Sequence, residues 1–278
     1  MKNKVLHKYL KNVHRVEGWV TEEAIFLITT LNEAQIRLGV EGHVGEIGVH
    51  YGKLFVLLYL LARPEENAVA IDVFERQDLN VDHSGHGDYE TLLTNLRSYA
   101  GATDRLRVIK GDSTELRCED VETAAGGRLR LFSIDGGHTA RVTLHDLGTA
   151  SGVLAEGGIA LLDDYFNEAW PGVSEGTNQF FSLRGGPGLN LVPFAIGGNK
   201  VFLSTPHHAG TYISHLLGRR GFCFIERELF GHPVICYCPP PESVATRLTK
   251  TSVWQAIRDT PLGAGIRRGL KLMRGRSK

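Results

Sequence analysis

Two apolar segments of the chain end in carboxylates. The first is LFSIDGGH, residues 131–138, which is apolar up to Asp135 and closes with His138. The second is GGIALLDDY, residues 157–165, which contains Asp163 and Asp164. A carboxylate at the end of a hydrophobic strand is costly unless a cation lies opposite it. Three such carboxylates form an oxygen-rich site that suits Mg²⁺, so we predict a divalent metal held by all three.

His138 lies three residues after Asp135, at the start of a predicted helix. From there its imidazole could take a proton from a substrate hydroxyl, and chelation of vicinal hydroxyls by the metal would make that proton more acidic. We therefore predict His138 as the catalytic base. Two alternatives stay open: His138 could be a solvent-exposed helix residue, and Asp163 or Asp164 could cap a turn.

Short apolar strands alternate with helices along most of the chain. Five strands are predicted at 43–49, 68–74, 106–112, 129–135 and 157–165, with helices at 53–63, 88–101 and 139–154. This alternation indicates an α/β fold, a Rossmann-like doubly wound and mostly parallel sheet with helices on both faces. Residues 1–38 read as two further helices. Strands at 200–205 and 233–239, with a helix at 207–218 between them, predict an antiparallel C-terminal pair.

Acidic residues stand at the carboxyl ends of the predicted strands, where such sheets bind ligands. The first turn, GEIGVHYG at residues 45–52, is glycine-rich but is not GxGxxG. Asp72, at the end of the second strand, could accept hydrogen bonds from ribose hydroxyls, and Asp112 could meet an adenine amino group. Glu46 would repel a pyrophosphate but would favour an ammonium or a sulfonium, so S-adenosylmethionine is favoured over NAD.

The motifs GEIGVHYG, AIDVF, KGDS, FSIDGGH and LLDDY, in this order within residues 40–185, resemble class I S-adenosylmethionine-dependent methyltransferases. The spacing Asp-x-x-His followed by Asp-Asp is similar to metal-dependent O-methyltransferases, including catechol O-methyltransferase and the sugar O-methyltransferases of macrolide and aminocoumarin pathways. The resemblance implies magnesium ligands at Asp135, Asp163 and Asp164. His138 stands where those families place a catalytic lysine or acid. The cofactor-binding positions implied by the resemblance are Glu46, Gly48, Gly52, Asp72, Asp112, Ser113 and Asp135.

Two polar loops flank these strand ends. Residues 74–90 form a long insert rich in Asp, His, Ser and Gly, which we interpret as a lid over the cofactor. A second metal at Asp82, His83 and His86 is the alternative. Residues 165–181 suit a wall for a polar acceptor, with substrate contacts predicted at Tyr165, Asn167 and Trp170. The resemblance and the polar insert together favour O-methylation of a sugar, glycan or other polyhydroxylated natural product.

Two functions from other classes stay open at this point. An NAD-linked oxidoreductase or epimerase would share the order of strands and helices, but it needs a phosphate-binding first turn, and no Tyr-x-x-x-Lys pair is present. A non-catalytic module with a cofactor fold is the other alternative.

Composition narrows the class of protein further. The 31 Lys and Arg balance the 31 Asp and Glu, which argues against a nucleic-acid partner. No apolar run is long enough to span a membrane, the basic start does not resemble a signal peptide, and the four cysteines suggest reduced thiols in the cytoplasm.

We divide the chain into an N-terminal helical extension at 1–40, the cofactor domain at 41–240 and a basic tail at 241–278. Residues 262–278 of the tail read as an amphipathic segment that could contact an anionic membrane or a partner. The N-terminal helices could bury a subunit contact.

Overall fold

The computed structural model describes residues 2–182, 191–219 and 222–238. The helices are α1 Lys2–Asn12, α2 Glu22–Leu38, α3 Lys53–Leu61, α4 Tyr89–Ala100, α5 Cys118–Ala125, α6 Ala140–Val153, α7 Pro171–Ser182 and α8 Pro206–Leu217. The strands are β1 His43–Ile47, β2 Ala68–Asp72, β3 Leu106–Lys110, β4 Leu129–Ile134, β5 Leu154–Asp163, β6 Val192–Gly197, β7 Lys200–Ser204, β8 Cys223–Leu229 and β9 His232–Cys238.

The strands form one mixed sheet in the order β3-β2-β1-β4-β5-β7-β6-β9-β8. Strands β1 to β5 are mutually parallel, and β7 runs antiparallel between β5 and β6. The predicted fold class is confirmed, and each of the five predicted parallel strands is present. Their carboxyl ends therefore meet along one edge of the sheet.

The C-terminal end of the sheet is more elaborate than the predicted pair. The two predicted strands are present as β7 and β9, but β6 lies between them, antiparallel to β7 and parallel to β9, and β8 pairs antiparallel with β9. The reason is a two-residue turn at Gly198 and Asn199, whose φ angles of 62° and 67° suit a tight hairpin. This turn pairs β7 with the strand directly before it.

The two predicted N-terminal helices are present and pack on the sheet. Thr21 caps α2 by accepting a hydrogen bond from Ala24 N at 3.1 Å, and Gly39 ends the helix with a φ of 68°. Tyr9 of α1 and Leu27 of α2 are fully buried in the same core cluster as residues of β1 and β4.

A buried arginine joins α2 to the sheet. Arg130 of β4 pairs with both carboxylate oxygens of Glu66 at 2.8 Å. Its Nη1 donates to Asn32 Oδ1 and to Gln35 Oε1, both on α2, at 2.9 and 2.8 Å. The charge is thus paired inside the core, as a buried guanidinium requires.

Within the described ranges, no helix has both the length and the apolar character needed to cross a membrane. The predicted basic tail at 241–278 lies outside the described residues.

Candidate active site

A cavity of about 530 Å³ opens at the carboxyl ends of the parallel strands. Its volume falls within the range of small-molecule sites. Residues from the ends of all five parallel strands line it, and the predicted site residues among them are Gly48, Asp72, Asp112, Ser113, Asp135, His138, Asp163, Asp164, Asn167 and Trp170. The predicted residues outside this lining are Glu46, Gly52 and Tyr165.

The turn after β1 requires glycine at one position. Gly48 has a φ of 79°, and a Cβ there would overlap the carbonyl oxygen of Asp135 on the neighbouring strand. Only a residue without a side chain allows the two strand ends to approach this closely. Gly52 stands at the start of α3 and packs against Leu92, so it supports the turn from behind.

Asp72 is held in place by the backbone around it. Its Oδ2 accepts from His50 N at 2.8 Å and its Oδ1 accepts from Phe74 N at 2.6 Å. Burial raises the pKa of this carboxyl, which the two amide hydrogen bonds oppose. Each carboxylate oxygen has a second lone pair, so Asp72 can still accept hydrogen bonds from a ligand.

The end of β3 supplies two further polar groups. Asp112 accepts from both the backbone N and the hydroxyl of Thr114 at 2.8 Å and thereby caps a short 3-10 helix, Ser113–Glu115. The hydroxyl of Ser113 donates to the buried Asp146 at 3.1 Å.

Glu46 lies behind the first turn. Only 2% of its surface is exposed, and its Oε2 has no hydrogen-bond partner among the described residues. Burial and the neighbouring Asp135 raise the pKa of Glu46 well above its usual value. In this structure, therefore, Glu46 is not placed for direct contact with a ligand in the cavity.

Three potential metal ligands converge on the side of the cavity formed by β4 and β5. Ligand atoms of Asp135, His138 and Asp164 all lie within 4.8 Å of one another. His138 Nε2 is 3.1 Å from Asp164 Oδ2 and 3.7 Å from Asp135 Oδ1. Asn167 and Asn199 both donate to Asp164 Oδ1, at 2.7 and 2.5 Å, and fix this carboxylate from the other side.

Asp163, the third predicted ligand, faces a different cation. Its Oδ2 pairs with the ammonium of Lys200, the residue opposite it on β7, and its Oδ1 accepts from Asp164 N and Asn199 Nδ2 at 3.0 and 3.2 Å. Lys200 is only 1% exposed. Burial acts to lower the pKa of Lys200, but Asp163 and Asp135 raise it, which keeps the ammonium charged.

His138 is surrounded by carboxylates. Its Nδ1 lies 2.8 Å from Asp82 Oδ2, while Nε2 faces Asp135 and Asp164. Burial disfavours the imidazolium, but these carboxylates outweigh it and raise the pKa of His138 to about 10. The Trp170 ring stacks on the imidazole at 4.3 Å between centroids.

The loops around the site differ in their contribution. Asn167 and Trp170 line the cavity, whereas the Tyr165 hydroxyl donates to Asn178 at 3.2 Å away from it. The segment predicted as a wall is largely helix α7. Trp19, which the sequence did not indicate, stands at the rim of the cavity with 73% of its surface exposed.

Residues of the polar insert, predicted as a lid, line the cavity. Most of residues 79–87, hereafter the lid, contribute to the lining. Within the described ranges, neither His83 nor His86 forms a three-ligand cluster with Asp82. His86 Nδ1 instead lies 3.1 Å from Gln77 Oε1 on the surface.

Three residues that contribute most to this geometry were not predicted in their present roles: Asp82, Asn199 and Lys200. Asp82 drew attention only as a second-metal candidate. The signal for Lys200 was the turn sequence GGNK followed by an apolar run, but its meaning depends on the register that places it opposite Asp163.

Residues 46–165 match the family model of a methyltransferase domain, Methyltransf_24. This segment runs from β1 to the turn after β5 and contains all the parallel-strand ends that line the cavity. The strand ends that line the cavity therefore lie in a segment that is similar to methyltransferase domains.

The chain is similar to several solved structures. The O-methyltransferase NovP is 17% identical with a TM-score of 0.52, and the match covers 66% of this chain and 80% of that one. CalS11, a TDP-rhamnose 3′-O-methyltransferase of calicheamicin biosynthesis, is 18% identical with a TM-score of 0.47, over 73% and 93% of the two chains. An O-methyltransferase from Bacillus cereus in complex with S-adenosylhomocysteine is 14% identical with a TM-score of 0.48, over 72% and 89%. No curated protein matches the sequence.

Proposed function

We propose that this enzyme transfers the methyl group of S-adenosylmethionine to a hydroxyl of a sugar, glycan or other polyhydroxylated natural product, with the help of a divalent metal, Mg²⁺. One observation carries the proposal. A single cavity is lined both by the predicted cofactor positions Gly48, Asp72 and Asp112 and by the cluster of Asp135, His138 and Asp164. Donor and acceptor would thus meet in one space.

The cofactor half of the proposal rests on Asp72. Two backbone amides orient the carboxylate of Asp72, which accepts hydrogen bonds from the ribose hydroxyls. Asp112 and Ser113, at the end of β3, lie on the side of the cavity proposed for the adenine. Gly48, at the turn after β1, lines the same cavity on the side proposed for the methionine portion. Glu46 contributes only as a buried group behind this turn.

The residues of the cluster fit a divalent cation. The carboxylates of Asp135 and Asp164, with donor atoms within 4.8 Å of each other, supply the hard oxygen ligands that such ions accept, and the imidazole of His138 lies beside them as a separate group. Asp135 and Asp164 would hold the ion, which would acidify a bound substrate hydroxyl. Asp163 stays paired with Lys200 and supports the site from behind.

His138 takes the proton from the substrate hydroxyl at Nε2. Asp82, Asp135 and Asp164 keep the free imidazole protonated, so a cation held by Asp135 and Asp164 would lower the pKa of His138 and would let Nε2 accept the proton. The deprotonated oxygen attacks the methyl carbon in line with the sulfonium, and S-adenosylhomocysteine leaves with a neutral sulfur. The main contribution of the protein is to orient the two reactants.

The acceptor is inferred from the surface around the cluster. Trp170 and Asn167 offer an aromatic face and an amide, and the lid adds polar side chains, a combination that suits a polyhydroxylated ring. The fold shared with NovP, an O-methyltransferase, supports oxygen as the acceptor atom.

Methyl transfer from labelled S-adenosylmethionine to a panel of glycosides, nucleotide sugars and catechols tests the proposal. We expect transfer to a polyhydroxylated acceptor, loss of transfer after dialysis against EDTA, and recovery with Mg²⁺. Isothermal titration should show binding of S-adenosylhomocysteine, weakened by about 2–3 kcal/mol in Asp72→Ala through the loss of hydrogen bonds to two ribose hydroxyls. Binding of NADH without binding of S-adenosylhomocysteine would refute the cofactor, and full activity in EDTA would refute the metal.

A further inference from the structure

The lid contacts His138 through Asp82. Oδ2 of Asp82 accepts a hydrogen bond from His138 N at 2.5 Å and lies 2.8 Å from His138 Nδ1. Oδ1 accepts from the backbone N and the hydroxyl of Ser84 at 2.9 and 2.6 Å. One oxygen of this carboxylate is therefore bonded within the lid and the other to the imidazole.

The lid is braced internally and reaches both ends of the cavity. Asn80 Nδ2 donates to Gln77 Oε1, Ser84 O and Gly85 O at 2.8, 3.0 and 3.1 Å. At the far end of the lid, Gly87 lies against Asp72, the carboxylate proposed to bind the ribose. A Cβ on Gly87 would come within 2.7 Å of Asp72 Oδ1. The same short segment thus touches the ribose position and the proposed base.

We infer that Asp82 is the positioning residue of His138 and that the lid, by carrying Asp82, completes the active site. The inference rests on the proposed function. A carboxylate at Nδ1 makes that nitrogen the donor and leaves Nε2 as the atom that accepts the substrate proton. With Trp170 stacked on one face of the ring, the two contacts fix both the tilt and the tautomer of the imidazole.

Because Asp82 belongs to the lid and not to the strand that precedes His138, the orientation of the base depends on the lid lying over the cavity. Binding of the cofactor next to Gly87 and orientation of His138 by Asp82 would then be coupled through the lid. This assigns the polar insert a part in the reaction, beyond excluding water.

A double-mutant cycle tests whether Asp82 acts through His138. We expect Asp82→Ala to lower kcat about 10- to 100-fold, as loss of a partner behind a functional histidine does, with the KM for S-adenosylmethionine unchanged within about 2-fold. In the His138→Ala background the same substitution should change kcat by less than about 2-fold. Asp82→Asn, which keeps an accepting oxygen, should retain more activity than Asp82→Ala.

Asp78 provides the matched control. It precedes the lid, pairs with Arg76 on the surface, and does not line the cavity. Asp78→Ala should therefore leave kcat unchanged. An equal loss from Asp82→Ala in both backgrounds would overturn the inference, since Asp82 would then act independently of the imidazole.

Hydrogen exchange on the ligand-free protein tests the same contact without any reaction. His138→Ala and Asp82→Ala should each speed exchange of residues 79–87 by about 3-fold or more, whereas Asp78→Ala should not. Unchanged lid exchange in His138→Ala would overturn the inference. If the lid responds as expected but no acceptor is methylated, the proposed function fails while the contact between lid and imidazole stands.

Discussion

Two cations of the chain itself balance the acids at the edge of the cavity. Lys200 faces Asp163, and His138 faces Asp82, Asp135 and Asp164. These pairs differ in their surroundings: Lys200 is sealed in the core, whereas His138 lines the cavity. The Lys200–Asp163 pair therefore stabilises the fold, whereas a ligand in the cavity can rearrange the contacts of His138 with its three acids.

Replacing Lys200 by Met should destabilise the protein by about 3–5 kcal/mol, because Asp163 would be left as a buried, unpaired carboxylate. The double variant Asp163→Asn with Lys200→Met should recover a large part of this loss. Urea unfolding of the two single variants and the double variant measures the coupling. If the double variant loses the sum of the two single effects, the ion pair contributes nothing and this account is wrong.

The adjacent acids Asp163 and Asp164 should respond differently to Mg²⁺. Asp164→Asn removes a proposed ligand, so the rise in melting temperature on adding Mg²⁺ should disappear. Asp163→Asn should keep that rise, although its starting melting temperature should be lower. Differential scanning calorimetry with Mg²⁺ and with EDTA gives both values. Loss of the Mg²⁺ response in Asp163→Asn alone would instead favour Asp163 as a ligand.

Sequence reasoning brought the right strand ends together but could not assign each acid its partner. Parallel strands must present their carboxyl ends at one edge, which is why Asp72, Asp112 and Asp135 could be predicted to share a cavity. Asp163 is the last residue of β5, whereas Asp164 lies beyond the strand with a φ of 61°, so an Asp-Asp pair need not serve one ligand. The pairing of Lys200 with Asp163 depends on the register of β7 against β5, which no local sequence pattern indicates.

At the level of secondary structure, the elements that were missed are those with weak local signals. The five parallel strands are continuous apolar runs and were predicted, whereas β6 contains Pro193 and was not. Helix α7 contains Gly172, Gly176 and several Ser, Thr and Asn residues, all poor helix formers. Packing against α6 stabilises it instead: a Cβ at Gly176 would come within 2.5 Å of Ala140 O.

Substituting Gly176 by Ala should therefore push α7 away from α6 and cost about 1–3 kcal/mol, as overpacking of a close contact does. The matched control is Gly148→Ala in the middle of α6, where the new Cβ meets nothing within 4 Å. That change should stabilise the protein by about 0.5–1 kcal/mol through helix propensity alone. Thermal unfolding compares the two variants, and equal effects would show that the α6–α7 contact tolerates a side chain.

At the scale of the whole molecule, the N-terminal helices and the sheet share one core. Arg130→Met tests this, because the substitution removes the two-point partner of Glu66, which would keep only its pair with Arg63, and removes both hydrogen bonds to α2. We expect a loss of about 3–5 kcal/mol. The exposed pair Arg76–Asp78 provides the control, since solvent screens this pair and Arg76→Met should leave the free energy of unfolding nearly unchanged. A near-neutral Arg130→Met would mean that α2 is held by apolar packing alone.

The hairpin of β6 and β7 has a consequence for the exchange of parts between related enzymes. The segment matched to the methyltransferase family ends at residue 165, but the ammonium that balances Asp163 and the amide that orients Asp164 enter from Lys200 and Asn199, more than thirty residues later. A chimera that grafts residues 46–165 onto another scaffold would receive the acids without their counterparts. Such a chimera should fold and function only if it also includes the GGNK turn of this chain. The segment that must be transferred is therefore longer than the segment matched by the family model.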